Sequence, residues 1–283
     1  MAKRVFITGA SSGFGKSAAI ELAKRGHTVF ATMRGVDGKN SEAAQALRDA
    51  AKKDNLALHV LELDVTSDAS AQQAVAQAIA QANGIDVLIN NAGIGVMGIQ
   101  ESVTTEQAQQ LFDVNVLGIL RMNRAVLPHM RQQRNGLIIY LSSALGRIIL
   151  PFGGLYTASK FAVEALAEAA SYELKPLGID SLIIQPGAYG TSFSANMVMG
   201  NDAERLQTYG PVKENLEKFL ANFSAREPGN PQEVVDAIVA AVENMGTEQA
   251  LRLPVGADMK QPVETLNQTA QAVQQQLLAA FGM

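Results

Sequence analysis

The sequence predicts an α/β protein built on one doubly wound parallel sheet with helices on both faces. Three observations predict it. Short, almost wholly apolar strands alternate with longer amphipathic segments along all 283 residues. A glycine-rich turn at Thr8–Gly15 joins the first strand to the first helix. No low-complexity linker and no internal repeat divides the chain, so 1–283 is read as a single domain. Strands apolar on both faces are buried on both sides, and helices between them imply parallel pairing with right-handed crossovers.

Each element has its own signal. Val5–Thr8 is a short apolar run that ends at Gly9. Phe14–Arg25 carries Ala18, Ile20, Leu22 and Ala23 among charged neighbours, and Gly26 stops it as a helix C-terminal glycine does. Thr28–Met33 is the second strand and Ser41–Lys53 a polar, alanine-rich helix. Leu56–Leu63 is a strand, followed by a helix over Ser67–Ala82 that opens on a serine cap. Ile85–Asn90 is a strand and Glu106–Gln132 one long helix. Leu137–Ser142, Tyr156–Lys175 and Ile179–Gln185 read as strand, helix and strand. Pro231–Asn244 is a helix with proline at its start, Leu251–Pro254 a late short strand, and Glu264–Phe281 a glutamine-rich last helix within a tail from about 260 to 283. Residues 188–226 hold several Met, Phe and Asn with no clean period and are read as a mobile helical lid over a pocket.

Composition excludes several function classes. With 23 Lys and Arg against 27 Asp and Glu the net charge is -4, which lacks the basic face of a nucleic-acid binder. Hydrophobic residues at 47% supply a core and exclude wholesale disorder. The absence of cysteine removes disulfides, thiolate zinc sites and a cysteine nucleophile. His27, His59 and His129 are scattered without paired ligands, so no metal is expected. No apolar run is long enough to span a bilayer and no signal-peptide pattern opens the chain, so a soluble, cytoplasmic protein is expected.

The glycine turn reads Gly9-Ala10-Ser11-Ser12-Gly13-Phe14-Gly15. Glycines let the backbone approach a pyrophosphate, and a helix N-terminus favours its charge. Such a turn alone is as often plain structure; its place at the first strand-to-helix junction makes it a Rossmann-type dinucleotide site. The second strand ends Ala31-Thr32-Met33-Arg34. An acid there takes the 2′-hydroxyl of NAD, whereas an arginine suits the 2′-phosphate of NADP. Arg34 in the absence of an acid therefore points to NADP(H), although an arginine after a strand is usually a solvated one.

Tyr156 and Lys160 stand at i and i+4, one turn apart on one helix face. A nearby ammonium favours the phenolate and is expected to lower the tyrosine from its ordinary value, making it a general acid or base. By itself the pair is a common helical surface pattern. Ser143 sharpens it, because a hydroxyl at the carboxyl end of a strand points into the ligand crevice of such folds.

Together these marks resemble the short-chain dehydrogenase/reductase family, in its common single-domain subtype. The resemblance rests on Thr8–Gly15, Asn90–Gly93, Asn115-Val116, Ser143, Tyr156–Lys160 and Pro186-Gly187, in family order over residues 4 to about 191. It implies an oxidoreductase with Tyr156 as proton donor or base, Lys160 acting on Tyr156 and bonding the nicotinamide ribose, and Ser143 orienting the substrate oxygen. It further implies that Asn115 holds a water linking Lys160 to solvent, and that Asp64 and Val65 contact adenine. Asn91, Ala92 and Gly93 are expected to line the cofactor, with Pro186, Gly187 and Thr191 on its carboxamide side. Asp64 reads equally as a cap of its own turn, and Asn115 as a polar residue that kinks its helix.

Phe152, Leu155, Tyr189 and Phe193 flank the motifs and are expected to face a hydrophobic substrate, and Met97, Met197 and Met199 read equally as adaptable pocket padding or as ordinary packing. The run Arg252–Gly256 resembles members near the hydroxysteroid and retinol dehydrogenases. The resemblance also implies a homodimer or homotetramer through Glu106–Gln132 and Tyr156–Lys175. Two other readings stay open at this point: a regulator that senses NADP(H) without turnover, and an enzyme of the related epimerase/dehydratase branch, which the glycine spacing and short substrate region disfavour.

Overall fold

The strands, in chain order, are β1 (Arg4–Ile7), β2 (Thr28–Met33), β3 (Leu58–Glu62), β4 (Val87–Asn90), β5 (Val96–Met97), β6 (Gly136–Leu141), β7 (Ile179–Pro186), β8 (Val198–Met199) and β9 (Arg252–Val255). Seven of them form one sheet in the order β3-β2-β1-β4-β6-β7-β9, and each neighbouring pair is parallel. β5 and β8 pair separately, Val96 with Val198 and Met97 with Met199. The computed structural model describes residues 1–282, the side chains of Ser194 and Ala195 excepted.

The sheet sorts its side chains by alternation. Val5 and Ile7 of β1, Val87 and Ile89 of β4, and Leu137 and Ile139 of β6 face one layer. Phe6, Leu88, Ile138 and Tyr140 face the other. On the first face pack α1 (Gly13–Lys24) and α2 (Ser41–Lys53), together with a later helix over Gln232–Glu243. On the second face lies α3 (Asp68–Ala82), whose cap Ser67 accepts from Ser70 N at 3.2 Å. Where the sequence predicts a single helix between Glu106 and Gln132 there are two, and only the second packs in that layer. They are α4 (Thr105–Phe112) and α5 (Gly118–Gln133), joined by a π-turn over Asp113–Leu117. The turn inserts one residue into the helical ladder, and Asn115, 1% exposed, sits in it. Then follows α6 (Gly154–Leu174), the helix that carries Tyr156 and Lys160.

The segment read as a lid holds α7 (Ser192–Ala195), strand β8, α8 (Ala203–Gln207) and α9 (Pro211–Ser224). It is thus helical with one strand, which ties it to the turn after β4. After α10 (Gln232–Glu243) and β9, α11 (Lys260–Ala280) buries Val263 and Asn267 and leaves Leu266, Val273 and Leu277 exposed.

Because the sheet core is closed on both faces, truncation at its centre leaves a cavity. Ile139, fully buried in β6, is expected to cost about 2–5 kcal/mol when changed to alanine. Urea titration of Ile139→Ala checks this, and a loss below about 1 kcal/mol contradicts the packing described.

Candidate active site

The chain leaves β1 for β2 and β3 on one side, and later returns to place β4 on the other. The loops after β1 and β4 therefore part at the carboxyl ends of adjacent strands and open a crevice. Thr8 and Asn91 hold its two lips. Thr8 Oγ1 accepts from the backbone N–H of Asn91 at 3.0 Å and of Ala92 at 2.9 Å. Asn91 Nδ2 donates to the carbonyls of Thr8 at 2.8 Å and Gly9 at 2.9 Å. Gly9 has φ +69°, and a Cβ there would stand 2.8 Å from Ala92 Cα, so the turn admits only glycine at this point. α1 begins at Gly13 with no side-chain cap from Ser12, which turns an uncapped helix N-terminus into the crevice.

The crevice continues as a cavity of about 630 Å³. Gly9, Ser11, Ser12, Gly13 and Phe14 line one wall, and Asn91, Ala92 and Gly93 the facing one. Asp64 and Val65 lie at one end, with Leu63 beside them. Ser143, Tyr156, Lys160, Pro186, Gly187 and Thr191 line the other end. Gly15 and Asn115 are the two expected site residues outside this lining. Gly15 packs against Asn91 and the Gly9 carbonyl. The Asn115 side chain is engaged by protein: Oδ1 accepts from Ile94 N at 2.9 Å, and Nδ2 donates to Ile94 O at 3.0 Å and Ser159 Oγ at 3.1 Å.

Arg34 lines the Asp64 end, and so do Lys39 and Asn40, which the sequence reading did not single out. Arg34 and Lys39 are exposed and take part in no ion pair among the described residues. A second cation five residues past Arg34, within the Gly35–Asn40 turn, was the available signal. The nearby Glu62 carboxylate is occupied by the backbone N–H groups of Gly35 at 2.7 Å and Val36 at 2.8 Å. Asp64 Oδ1 does cap its own turn, accepting from Thr66 N at 2.9 Å and Thr66 Oγ1 at 2.7 Å. Burial pushes the Asp64 carboxyl up, but the Thr66 donors and the positive charge of Arg34 and Lys39 outweigh it and hold it below the ordinary carboxylate value.

At the far end Lys160 Nζ donates to the Leu141 carbonyl at 2.8 Å and lies 5.7 Å from the centroid of the Tyr156 ring. Ser143 Oγ accepts from Leu145 N at 3.1 Å. The electrostatics run opposite to the expectation from the i, i+4 pairing. Burial pushes the Tyr156 phenol up to about 12, with only Ser143 pulling it down. Burial likewise pushes Lys160 down to about 8, with Glu164 opposing. Desolvation sets both directions because both groups are enclosed and the ammonium is turned to a carbonyl.

The outer wall is apolar, formed by Ile94, Leu145, Leu150, Met197 and Phe223, with the Phe193 ring 5.7 Å from that of Tyr156. Tyr189 also reaches the cavity, but its ring packs on Phe14 and its hydroxyl donates to Glu233 at 2.9 Å. Phe152 and Leu155, expected to face substrate, do not line it. Phe152 adopts φ +64° and packs on Phe219 of α9, while Leu155 packs in the small cluster around Val96 and Leu111. Met97 is buried behind the cavity wall and Met199 is exposed. Among the described residues no three His, Asp or Glu come together as a metal site, and no helix is long and apolar enough to cross a membrane.

Residues 3–202 match the family model described as short chain dehydrogenase. Among curated proteins, the chain is 42% identical over 192 residues to 3-ketodihydrosphingosine reductase of Bacteroides thetaiotaomicron, covering 68% of this chain and 66% of that one, just under two thirds of its length. It is 34% identical over 254 residues to human retinol dehydrogenase 8, covering 86% and 78% of the two chains. Among solved structures, a short chain dehydrogenase from Burkholderia cenocepacia in complex with NADP superimposes with a TM-score of 0.70 at 27% identity, covering 98% of each chain.

The buried Lys160 generates a pH-dependent stability. Its value falls from 10.5 to about 8 on folding, so between those limits the unfolded chain binds more protons and stability rises with pH. Wild type is expected to gain about 2 kcal/mol between pH 8 and 10 relative to Lys160→Met. Parallel denaturation profiles for the two proteins over that window would contradict the burial of a charged amine.

Proposed function

The chain belongs to the short chain dehydrogenase family, and from that premise we propose an NADP(H)-dependent oxidoreductase that moves a hydride between the nicotinamide and the carbonyl or alcohol carbon of a hydrophobic small molecule, with Tyr156 as its acid/base. One observation carries this reading: Ser143, Tyr156 and Lys160 open into the same cavity as the glycine turn and the uncapped N-terminus of α1. A sensor of the cofactor has no use for that cluster, and nothing in the molecule favours it.

The residues fit the group. The α1 N-terminus and the Gly9–Phe14 turn suit a pyrophosphate, Leu63, Asp64 and Val65 an adenine, and the exposed Arg34 and Lys39 a 2′-phosphate. The NADP-bound relative supports the same choice. When bound, the cofactor supplies or takes up the hydride. The protein handles the proton. A phenol held near 12 is protonated at neutral pH, which is the form that donates to a carbonyl oxygen gaining negative charge. Leu145 N–H fills one acceptor position of Ser143 Oγ and leaves the serine hydrogen free for that oxygen. Lys160 uses one N–H on Leu141 and keeps two for ribose hydroxyls. Asn115 acts by position, pinning Ile94 against Ser159 beneath the cluster.

The apolar wall supports a hydrophobic substrate, and two of the relatives are named for 3-ketodihydrosphingosine and retinol. Residues 188–226 serve as the lid in this reading. Phe223 and Arg226 reach the cavity, and the row Phe152–Phe219–Phe223, with centroids 5.5 and 6.1 Å apart, joins α9 to the turn before α6. The exposed Leu117, Leu120, Phe161 and Leu166 on α5, its π-turn and α6 support a homodimer or homotetramer.

Tyr156→Phe is expected to bind NADPH as the wild type does and to lose about 10²–10⁴-fold in turnover. NADPH oxidation with a panel of apolar ketones tests this, and near-normal turnover removes the assigned role. Arg34→Ala is expected to raise the NADPH Michaelis constant roughly tenfold or more while leaving that for NADH in place. An unchanged preference between the two cofactors would overturn the choice of NADP(H).

A further inference from the structure

Residues one turn apart along α6 continue past the proposed site: Tyr156 and Lys160 are followed by Glu164 and Glu168. Glu164 does not line the cavity and is 3% exposed. A buried carboxylate is costly without partners. This one is held from two strands. Arg252 Nε of β9 donates to Oε2 at 2.9 Å, and Gln185 Nε2 of β7 donates to Oε1 at 2.9 Å. Asn267 of α11 fixes Gln185 in turn, donating to its Oε1 at 2.7 Å, and the second arm of Arg252 reaches Glu168 at 2.6 Å. Gly146, after β6, closes the clamp, since a Cβ there would stand 2.9 Å from Glu164 Cγ.

We propose that Glu164 is a positioning residue for hydride transfer, its clamped carboxylate keeping the neighbouring Lys160 charged at the inner end of the cofactor crevice. The inference rests on the reading of Lys160 as part of the catalytic cluster. The charge count supports it. Among the described residues, the charged groups of this cluster are Lys160, Glu164 and Glu168 of α6, Arg252 of β9 and the half-buried Arg147 of the loop after β6, and the Tyr172 phenol of α6 donates to Glu168 Oε1 at 2.7 Å. β7 and α11 contribute the neutral Gln185 and Asn267. Three cations thus meet two carboxylates. Removing Glu164 leaves three against one, and the lysine is the cation that gives up its proton, because arginine does not. Glu164 is also the one charge acting to offset the desolvation of Lys160.

The test is a ¹³C NMR titration of the ε-carbons of labelled lysine in the cofactor-free protein, with the Lys160 signal identified by its absence from Lys160→Met. Glu164→Gln preserves shape and removes charge; Glu164→Asp preserves charge and shortens the side chain. The expected result is a downward shift of the Lys160 midpoint by roughly half to one pH unit in Glu164→Gln, a smaller shift in Glu164→Asp, and a matching displacement of the pH profile of NADPH oxidation. A midpoint unmoved by Glu164→Gln, or moved further by Glu164→Asp, overturns the proposal and leaves Glu164 as a packing residue. If Glu164→Gln does not fold, Arg252→Gln is read instead. Freed from its competing cation, the carboxylate should move the Lys160 midpoint up, and an unchanged or lower midpoint overturns the proposal. Failure of the underlying reading has a different signature, full turnover in Tyr156→Phe, whatever the lysine titration shows.

Discussion

Thr8 and Asn91 join the ends of β1 and β4 at the point where the chain turns one way after the first strand and the other way after the fourth. Parallel strands carry their carboxyl ends to one side of the sheet, and adjacent loops that diverge there leave a gap that no side chain of the core fills. The four hydrogen bonds between these two residues and their neighbours hold the gap at a fixed width. Everything assigned to the cofactor is built on its rim. The glycine at position 9 is a consequence, since the two lips approach too closely for a side chain between them.

The second determinant is burial of charge. The proposed catalytic cluster lies where β6 ends and α6 begins, and Tyr156 and Lys160 are buried there, so desolvation dominates their electrostatics. Enclosure raises the phenol and lowers the amine, which leaves the tyrosine protonated and the lysine close to losing its proton. An acid that must deliver a proton to an oxygen is well served by the first effect. The second needs a counterweight, and the polar cluster behind α6 contains one. The same helix therefore presents its chemistry at its first turns and its electrostatic support in the next two, with β7, β9 and α11 fixing the support in place. This gives the C-terminal helix a connection to the site that does not pass through the substrate.

The substrate end is made differently. The cofactor wall is mostly backbone and small residues on rigid elements, whereas the wall beyond Tyr156 is built from Met, Phe and Leu of short helices and loops. Such a surface excludes water and matches apolar shape without polar discrimination. The pairing of β5 with β8 stitches this segment to the turn after β4, on the side of the glycine crevice.

Much of the fold was legible in the sequence because its signals are local. Seven apolar runs, the alternation with amphipathic helices and the glycine turn specify a parallel sheet whatever the rest of the chain does. The positions of Ser143, Tyr156 and Lys160 were legible for the same reason, each lying at a strand end or on one helix face. What the sequence did not carry was distance between remote residues. The π-turn at Asp113–Leu117 appears as ordinary helix in a periodicity, because the bonds of Asn115 to Ile94 and Ser159 that accompany it join residues remote in the chain. Lys39 joins Arg34 only once the turn closes, and Phe152 packs on Phe219, a partner remote in the chain, rather than lining the cavity. The direction of the Tyr156 and Lys160 shifts was likewise decided by tertiary structure. Spacing along a helix determines which charges are neighbours, but the depth at which they are buried determines whether attraction or desolvation prevails, and depth is a property of the packed molecule alone.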